Sequence, residues 1–200
     1  MSSSTDLPSG TGLSRFAVDG DAPTREKWRP APLGEATSLR VLAFDQTLAS
    51  AGWVCLHGWT CFGSGVIAAE PSTLKGPPLS VDRGARLHRW VEQLIKAMEP
   101  THIVCEMPPI QGGGMRRPES SLMASLAIAI AADTQALPFS LVSGQTAKKR
   151  FGGNSSADKK AVREGIFEVA PWFRAVKPMN EHVADALALA LVFQEQHCGE

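Results

Sequence analysis

Four side chains of the kinds that bind metal ions lie next to apolar segments of this sequence. Asp45 and Glu106 each follow a short run typical of a buried strand, and His182 and Asp185 lie three apart at the start of an Ala- and Leu-rich segment. Strand ends and helix starts can bring distant carboxylates together. Three carboxylates beside an imidazole would repel or desolvate one another without a cation. These residues therefore predict a site for hard divalent ions and metal-assisted phosphate chemistry.

Each of these residues also has an ordinary structural interpretation. Asp45 is of a type common at turns, His182 could be a core or helix-start histidine, and Asp185 suits the first turn of a helix. Glu106 is harder to explain as a surface charge, because a buried-type strand precedes it and Met-Pro-Pro follows it. The i, i+3 spacing places His182 and Asp185 on one helix face, whereas Glu181 is turned away.

The hydrophobic pattern of residues 38–200 predicts an α/β domain, in which helices flank a mixed five-stranded sheet. Three strands joined by short connections predict an antiparallel meander, and the later strands alternate with helices, which predicts parallel pairing. The predicted strands are 39–45, 52–57, 62–68, 102–106 and 139–142. The predicted helices are 81–98, 119–135, 143–148, 157–169 and 180–196, and the last three have Ser143, Ser156 and Asn180 as candidate N-caps.

Length and composition favour one domain with a sizeable core. The chain has 200 residues, of which 44% are hydrophobic, and a formal net charge of zero. Residues 1–37 are rich in Ser, Gly, Pro and Asp, which predicts a disordered arm. No apolar run approaches the length of a membrane span, and none near the N-terminus is typical of a secretory signal, so we expect no membrane partner.

Because the net charge is zero, any nucleic-acid surface must come from local clusters of basic residues. A solvated helical surface is the ordinary interpretation of such clusters. Glycines between the two halves of the densest cluster allow close approach to a phosphate, so we predict contacts with the DNA backbone. The predicted DNA-binding residues are Lys148, Lys149, Arg150, Lys159 and Lys160, with Arg116 and Arg117 on the glycine-rich loop after Glu106 as a second group.

The order of the elements and of their carboxylates resembles the RNase H-like nucleases, and within them the RuvC family of Holliday-junction resolvases. Five segments in the family's order carry the resemblance over residues 39–193. The segments similar to its acidic motifs are VLAFDQTLASAGW (41–53), EPTHIVCEMPP (99–109) and EHVADALALAL (181–191). The other two, FGSGVI (62–67) and GQTAKKRFGGNSSADKKAV (144–162), are similar to its third strand and to its basic segment.

The resemblance implies an RNase H-like fold and a crossover junction endodeoxyribonuclease that resolves four-way DNA junctions by paired nicks. It implies that Asp45, Glu106, His182 and Asp185 are catalytic and bind two Mg²⁺ ions, which Mn²⁺ can replace. The helix predicted over 119–135 has little polar face, so it is either buried or half of a dimer interface. The resemblance favours a homodimer through this helix, and a cytoplasmic location in a bacterial or phage-infected cell, with an organelle left open.

Two departures from the housekeeping bacterial members are expected of a divergent, phage-encoded member. The arm 1–37 is long, and no aromatic residue follows Glu106 before residue 119. A glycine-rich loop with two arginines favours recognition of branch shape and backbone over base sequence.

Other function classes stay open at this point. One is an RNase H-like nuclease that cuts flaps, forks or structured RNA, and another is a non-catalytic junction-binding protein, against which the intact carboxylates argue. The third is an actin-like ATPase or sugar kinase, which would need glycine-rich phosphate loops of a kind that we do not find in the sequence.

Overall fold

The computed structural model of the chain describes residues 39–69, 71–108, 119–176 and 180–197. The predicted arm and the two loop arginines, Arg116 and Arg117, lie outside these ranges. Within them, no helix is both long and apolar enough to cross a bilayer.

Five strands form one mixed sheet, as the sequence predicts, in the spatial order β3-β2-β1-β4-β5. The first three strands pair antiparallel, and β4 and β5 continue the sheet in parallel from β1. This arrangement brings the carboxyl ends of β1 and β4 to the same edge. The strands are β1 (Arg40–Gln46), β2 (Ser50–His57), β3 (Thr60–Ala68), β4 (His102–Glu106) and β5 (Phe139–Val142).

Five α-helices cover the two faces of the sheet. They are α1 (Pro77–Met98), α2 (Glu119–Thr134), α3 (Gly144–Gly152), α4 (Lys159–Val169) and α5 (Glu181–His197). A short 3₁₀ helix, Pro171–Ala175, joins α4 to the segment before α5 and is absent from the sequence prediction. Helix α1 begins four residues earlier than predicted, because prolines are favourable in a first turn, where their missing N–H costs no hydrogen bond.

Alternating side chains of β1 divide the core into two layers. Val41 and Ala43 pack with α5 on one face, whereas Leu42 and Phe44 pack with α1 and α2 on the other. All four side chains are completely buried. Asp45 continues the alternation onto the α5 face, which aims its carboxylate at the first turn of that helix.

Two of the three predicted helix caps are confirmed and one is wrong. The side chains of Ser143 and Asn180 accept backbone N–H groups at the starts of α3 and α5. Helix α4 is capped by Asp158, whose carboxylate accepts the N–H of Ala161 at 2.8 Å. Ser156 instead bonds Asn154 in the preceding turn. Both residue types are good caps, so the sequence alone does not select between them.

Helix α2 is half buried, not fully enclosed within the chain. Four of its five alanines and Ile128 are buried in the core, whereas Leu122, Leu126 and Ile130 are 58%, 58% and 49% exposed. These three residues, spaced four apart, form one continuous apolar stripe on the outer face of the helix, hereafter the α2 stripe.

The cap assignment predicts a difference in stability between two neighbouring variants. Asp158→Ala removes the acceptor for the Ala161 N–H and should lower the free energy of unfolding by about 1 kcal/mol. Ser156→Ala is the matched control and should change stability by less than about 0.5 kcal/mol, since it removes only an exposed hydroxyl. Urea denaturation of both variants measures this, and an equal loss in the two would contradict the assignment.

Candidate active site

Asp45 and His182 meet although 137 residues separate them in the sequence. His182 Nδ1 lies 2.5 Å from Asp45 Oδ2. Gly52, opposite Asp45 on β2, makes this contact possible, because a Cβ at that position would lie 2.3 Å from the carbonyl carbon of His182. The start of α5 therefore rests directly on the backbone of β2. Asp45 is 9% exposed, whereas the His182 side chain is 38% exposed, so only the Asp45 side of the pair is shielded from solvent.

Glu106 reaches the same place from the end of β4. Its carboxylate lies beside that of Asp45, and both Asp45 and Asp185 are near enough to interact with it electrostatically. Gly144, at the start of α3, leaves the room that this carboxylate occupies, since a Cβ there would lie 2.1 Å from Glu106 Oε1. The N-terminal end of α3 is favourable for a carboxylate because of the exposed N–H groups and the helix dipole.

Asp185 completes the group from the second turn of α5, and Lys159 lies beside it. Lys159 Nζ is 3.6 Å from Asp185 Oδ2 and 2.7 Å from Glu181 Oε2. The structure thus brings together all four predicted acidic and histidine residues and adds one lysine. Glu181 is exposed, in agreement with the prediction that it is turned away, but it shares Lys159 with the site.

The site holds more negative than positive charge. Burial, followed by the neighbouring Asp45, raises the pKa of Glu106 to about 7, with a small opposing effect from Lys148. Burial and Asp45 also raise the pKa of Asp185, which Lys159 partly offsets. In the absence of a cation, a proton on Glu106 relieves the repulsion among the carboxylates.

The types of these residues suit a Mg²⁺ or Mn²⁺ site, although their side chains are not arranged as metal ligands in this structure. Among the described residues, no three His, Cys, Asp or Glu side chains are arranged to hold a metal ion. Asp45 instead contacts His182 and Glu106, while Asp185 faces Lys159. The three carboxylates are the kind of oxygen donor that these ions prefer. The raised pKa values of Glu106 and Asp185 show where added positive charge would be favourable.

Gln46 holds the end of β4 in place, a role that was missed in the sequence. The backbone pairing of β1 and β4 ends at Phe44 and Cys105. Beyond it, the Gln46 amide donates to the Glu106 carbonyl at 2.8 Å and accepts the Glu106 N–H at 3.2 Å. The same amide donates to Ser125 Oγ on α2 at 2.8 Å. A polar residue at the end of a buried strand was the available signal.

The predicted DNA-binding residues have different surroundings. Lys148 interacts electrostatically with Glu106, so it lies near the acidic group. Arg150 forms two hydrogen bonds with Glu195, at 2.7 and 2.8 Å, which tie α3 to α5. Lys149 and Lys160 are exposed. Gly153 lies between the basic residues of α3 and those of α4. It ends α3 with φ of 83°, a backbone conformation that favours glycine.

The sheet order, the flanking helices and the carboxylates at the end of β1 and β4 define an RNase H-like fold of the RuvC type. The Thermus thermophilus RuvC structure superposes with a TM-score of 0.62 at 18% identity, over 80% of this chain and 96% of that one. The T. thermophilus RuvC in complex with a Holliday junction substrate gives 0.59 at 20% identity, over 76% and 91%.

A third similar solved structure is that of a yeast mitochondrial protein. The yeast mitochondrial Holliday junction resolvase Ydc2 gives a TM-score of 0.52 at 14% identity, over 78% of both chains. No protein-family model matches the sequence, and neither does any curated protein. The RNase H-like fold predicted from the sequence is confirmed, and these identities carry the likeness no further than the fold.

The Gln46 contacts predict a positioning role that can be separated from metal ligation. Gln46→Leu keeps the volume but leaves the N–H and carbonyl of Glu106 unpaired, so Glu106 should shift. We expect metal-dependent cleavage to fall about 10- to 100-fold, with a higher Mg²⁺ concentration at half-maximal rate. Ser125→Ala, which removes one of the three bonds, is the control and should lose less. Unchanged rate and Mg²⁺ dependence in Gln46→Leu would contradict this role.

The crowded carboxylates also predict how the metal-free protein responds to pH. Glu106 has a folded-state pKa of about 7, above its ordinary 4.5, so the folded state binds its proton more tightly. Stability should therefore fall as pH rises through this interval. Glu106→Gln should raise the melting temperature at pH 8 by ~2–4 °C, the shift that about 1 kcal/mol gives in a chain of this size. It should also weaken stabilisation by Mg²⁺.

Thermal melts in EDTA and in MgCl₂ measure both effects, with the exposed Glu168→Gln as the control variant. A metal-free melting temperature that is the same in Glu106→Gln and wild type at pH 8 would show that the carboxylates do not repel one another as described.

Proposed function

We propose that this protein is a Mg²⁺-dependent endonuclease that cuts branched DNA, chiefly four-way junctions, by paired nicks. The observation that carries the proposal is the convergence of Asp45, Glu106, Asp185 and His182 at one end of the sheet, with a shortage of positive charge among them. The likeness to a RuvC structure in complex with a Holliday junction substrate supports four-way DNA as the substrate. Flaps, forks and structured RNA are the alternative substrates.

Each residue of the site has a separate proposed role in cleavage. Asp45 lies between the other groups and is the proposed shared ligand of two Mg²⁺ ions, with Glu106 and Asp185 as their separate ligands. Bound divalent ions supply an activated water nucleophile and charge neutralisation at the leaving oxygen. His182 is fixed by Asp45 through Nδ1, so it can serve as a ligand or orient the attacking water through its other ring nitrogen.

Lysines beside the carboxylates supply positive charge for the DNA. Lys159 is 57% exposed and reaches Asp185, so it can contact a phosphate at the edge of the site. Lys148 lies on the Glu106 side, so the two lysines flank the carboxylates. Together with Lys149 and Lys160, they form the proposed backbone contacts.

Cleavage and binding assays on synthetic mobile junctions test the metal assignment. Asp45→Asn, Glu106→Gln and Asp185→Asn should each lower the cleavage rate by at least ~10²-fold, because each removes a metal ligand. Junction binding should persist, since the changes remove negative charge from the DNA-facing site. Mn²⁺ should support cleavage, whereas Ca²⁺ should support binding without turnover.

The control variant for this series is Glu168→Gln, which alters an exposed carboxylate near the C-terminal end of α4 and should cut at nearly the wild-type rate. Wild-type cleavage by any of the three ligand variants would remove that residue from the site. A panel with three-way, flap and linear duplex substrates, and structured RNA, measures the substrate range. If the protein cuts flaps, forks or structured RNA faster than four-way DNA, that alternative substrate is favoured instead.

The α2 stripe predicts the proposed homodimer. Three large side chains, about half exposed and aligned on one helix face, form a surface suited to a second copy of the chain. Leu126→Glu should give monomers and abolish paired nicks, while single nicks at the intact metal site persist. Val81→Glu, which changes another exposed apolar residue (63% exposed), is the control and should stay dimeric. Analytical ultracentrifugation measures this, and a wild-type monomer at high micromolar concentration would exclude the dimer.

A further inference from the structure

A groove of about 320 Å³ lies between α1 and the connection from β1 to β2, and the proposed cleavage mechanism makes no use of it. Arg83, Arg86 and Arg89 line it from α1, three residues apart along one side of the helix. Thr47 and Ser50 line it from the β1–β2 connection, and Leu48, Ile67 and Leu87 supply apolar lining. It is hereafter the arginine groove.

The charges of the arginine groove suit an anion. Arg86 pairs with Asp82 at 3.0 Å, which holds its guanidinium against α1. The Nε of Arg83 is buried and has no hydrogen-bond partner among the described residues. Arg89 is exposed. A buried guanidinium N–H without a partner is costly, and phosphate is a ligand that matches guanidinium geometry.

The arginine groove lies close to the carboxylates along the chain. Thr47, one of its lining residues, is two residues after Asp45, which is at most ~7 Å along an extended strand. The two sites lie on opposite faces of the sheet, because Asp45 faces α5 whereas Leu48 packs with α1. A DNA strand that passes over the β1–β2 connection would therefore run from one site to the other.

We propose that the arginine groove binds the phosphate backbone of the cleaved strand where that strand passes over the β1–β2 connection. This inference rests on the proposed nuclease function and adds a DNA contact on α1, separate from the basic residues of α3 and α4. Its role is to fix the direction in which the strand enters the carboxylate site. Arginine–phosphate contacts are insensitive to base identity, so they add affinity without sequence preference.

Salt-dependent binding of a four-way junction tests the proposal. All proteins carry Asp45→Asn, so that no cleavage occurs, and fluorescence anisotropy gives the affinity over a range of salt concentrations. Arg83→Ala/Arg89→Ala removes two phosphate contacts and should lower the slope of log K against log salt by about 1.8, with an affinity loss of about tenfold or more. The control Lys96→Ala/Arg174→Ala removes two positive charges outside the groove and should change the slope little.

A charge-conserving variant separates DNA contact from folding. Arg83→Lys/Arg89→Lys should restore most of the salt slope, and melting temperatures of both double variants show whether the domain stays folded. An unchanged slope in a folded Arg83→Ala/Arg89→Ala variant overturns the groove proposal while the nuclease function stands. If wild-type protein cuts no branched DNA in Mg²⁺, the proposed function itself fails.

Discussion

Repulsion among crowded, partly buried carboxylates is the constraint around which this site is arranged. Asp45, Glu106 and Asp185 come from three different elements and share one poorly solvated position, where the pKa of Glu106 rises to about 7. Such an arrangement lasts only if the backbone around it is fixed by stronger interactions. The two completely packed layers on either face of the sheet provide that rigidity, and Lys159 and His182 offset part of the charge.

Two glycines help to position the site because they have no side chain. Gly52 lets α5 approach β2 so closely that His182 reaches Asp45, and Gly144 leaves the volume that the Glu106 carboxylate fills. An alanine at either position would place an atom within 2.5 Å of its neighbour, as the 2.3 and 2.1 Å approaches show. Such contacts would displace the elements that carry the carboxylates, although neither glycine has a side chain that could take part in the chemistry.

Sequence patterns were sufficient for the sheet, the helices and the acidic group, because these depend on periodic burial and on polar residues at the ends of apolar runs. Asp45, Glu106, His182 and Asp185 converge as predicted. The predicted N-cap of α4 was wrong because Ser156 and Asp158 are equally suitable by residue type. Gln46 was missed although its polar type at the end of a buried strand was a signal. Gly52, Gly144 and the arginine groove could not be predicted, since each depends on contacts between segments distant in sequence. The roles of Arg116 and Arg117 stay predictions.

The two sides of helix α2 have different surroundings, because the inner side contacts the sheet and the outer side is exposed. On its inner side, Ser125 accepts the amide N–H of Gln46, the residue after Asp45, and Ser120 accepts the N–H of Leu48. On its outer side lies the α2 stripe. A protein that packed on the stripe and shifted α2 would act on the Gln46–Ser125 bond, and through Gln46 on Glu106. Association and catalytic competence are then thermodynamically linked, and by reciprocity substrate binding at the carboxylates would tighten the association.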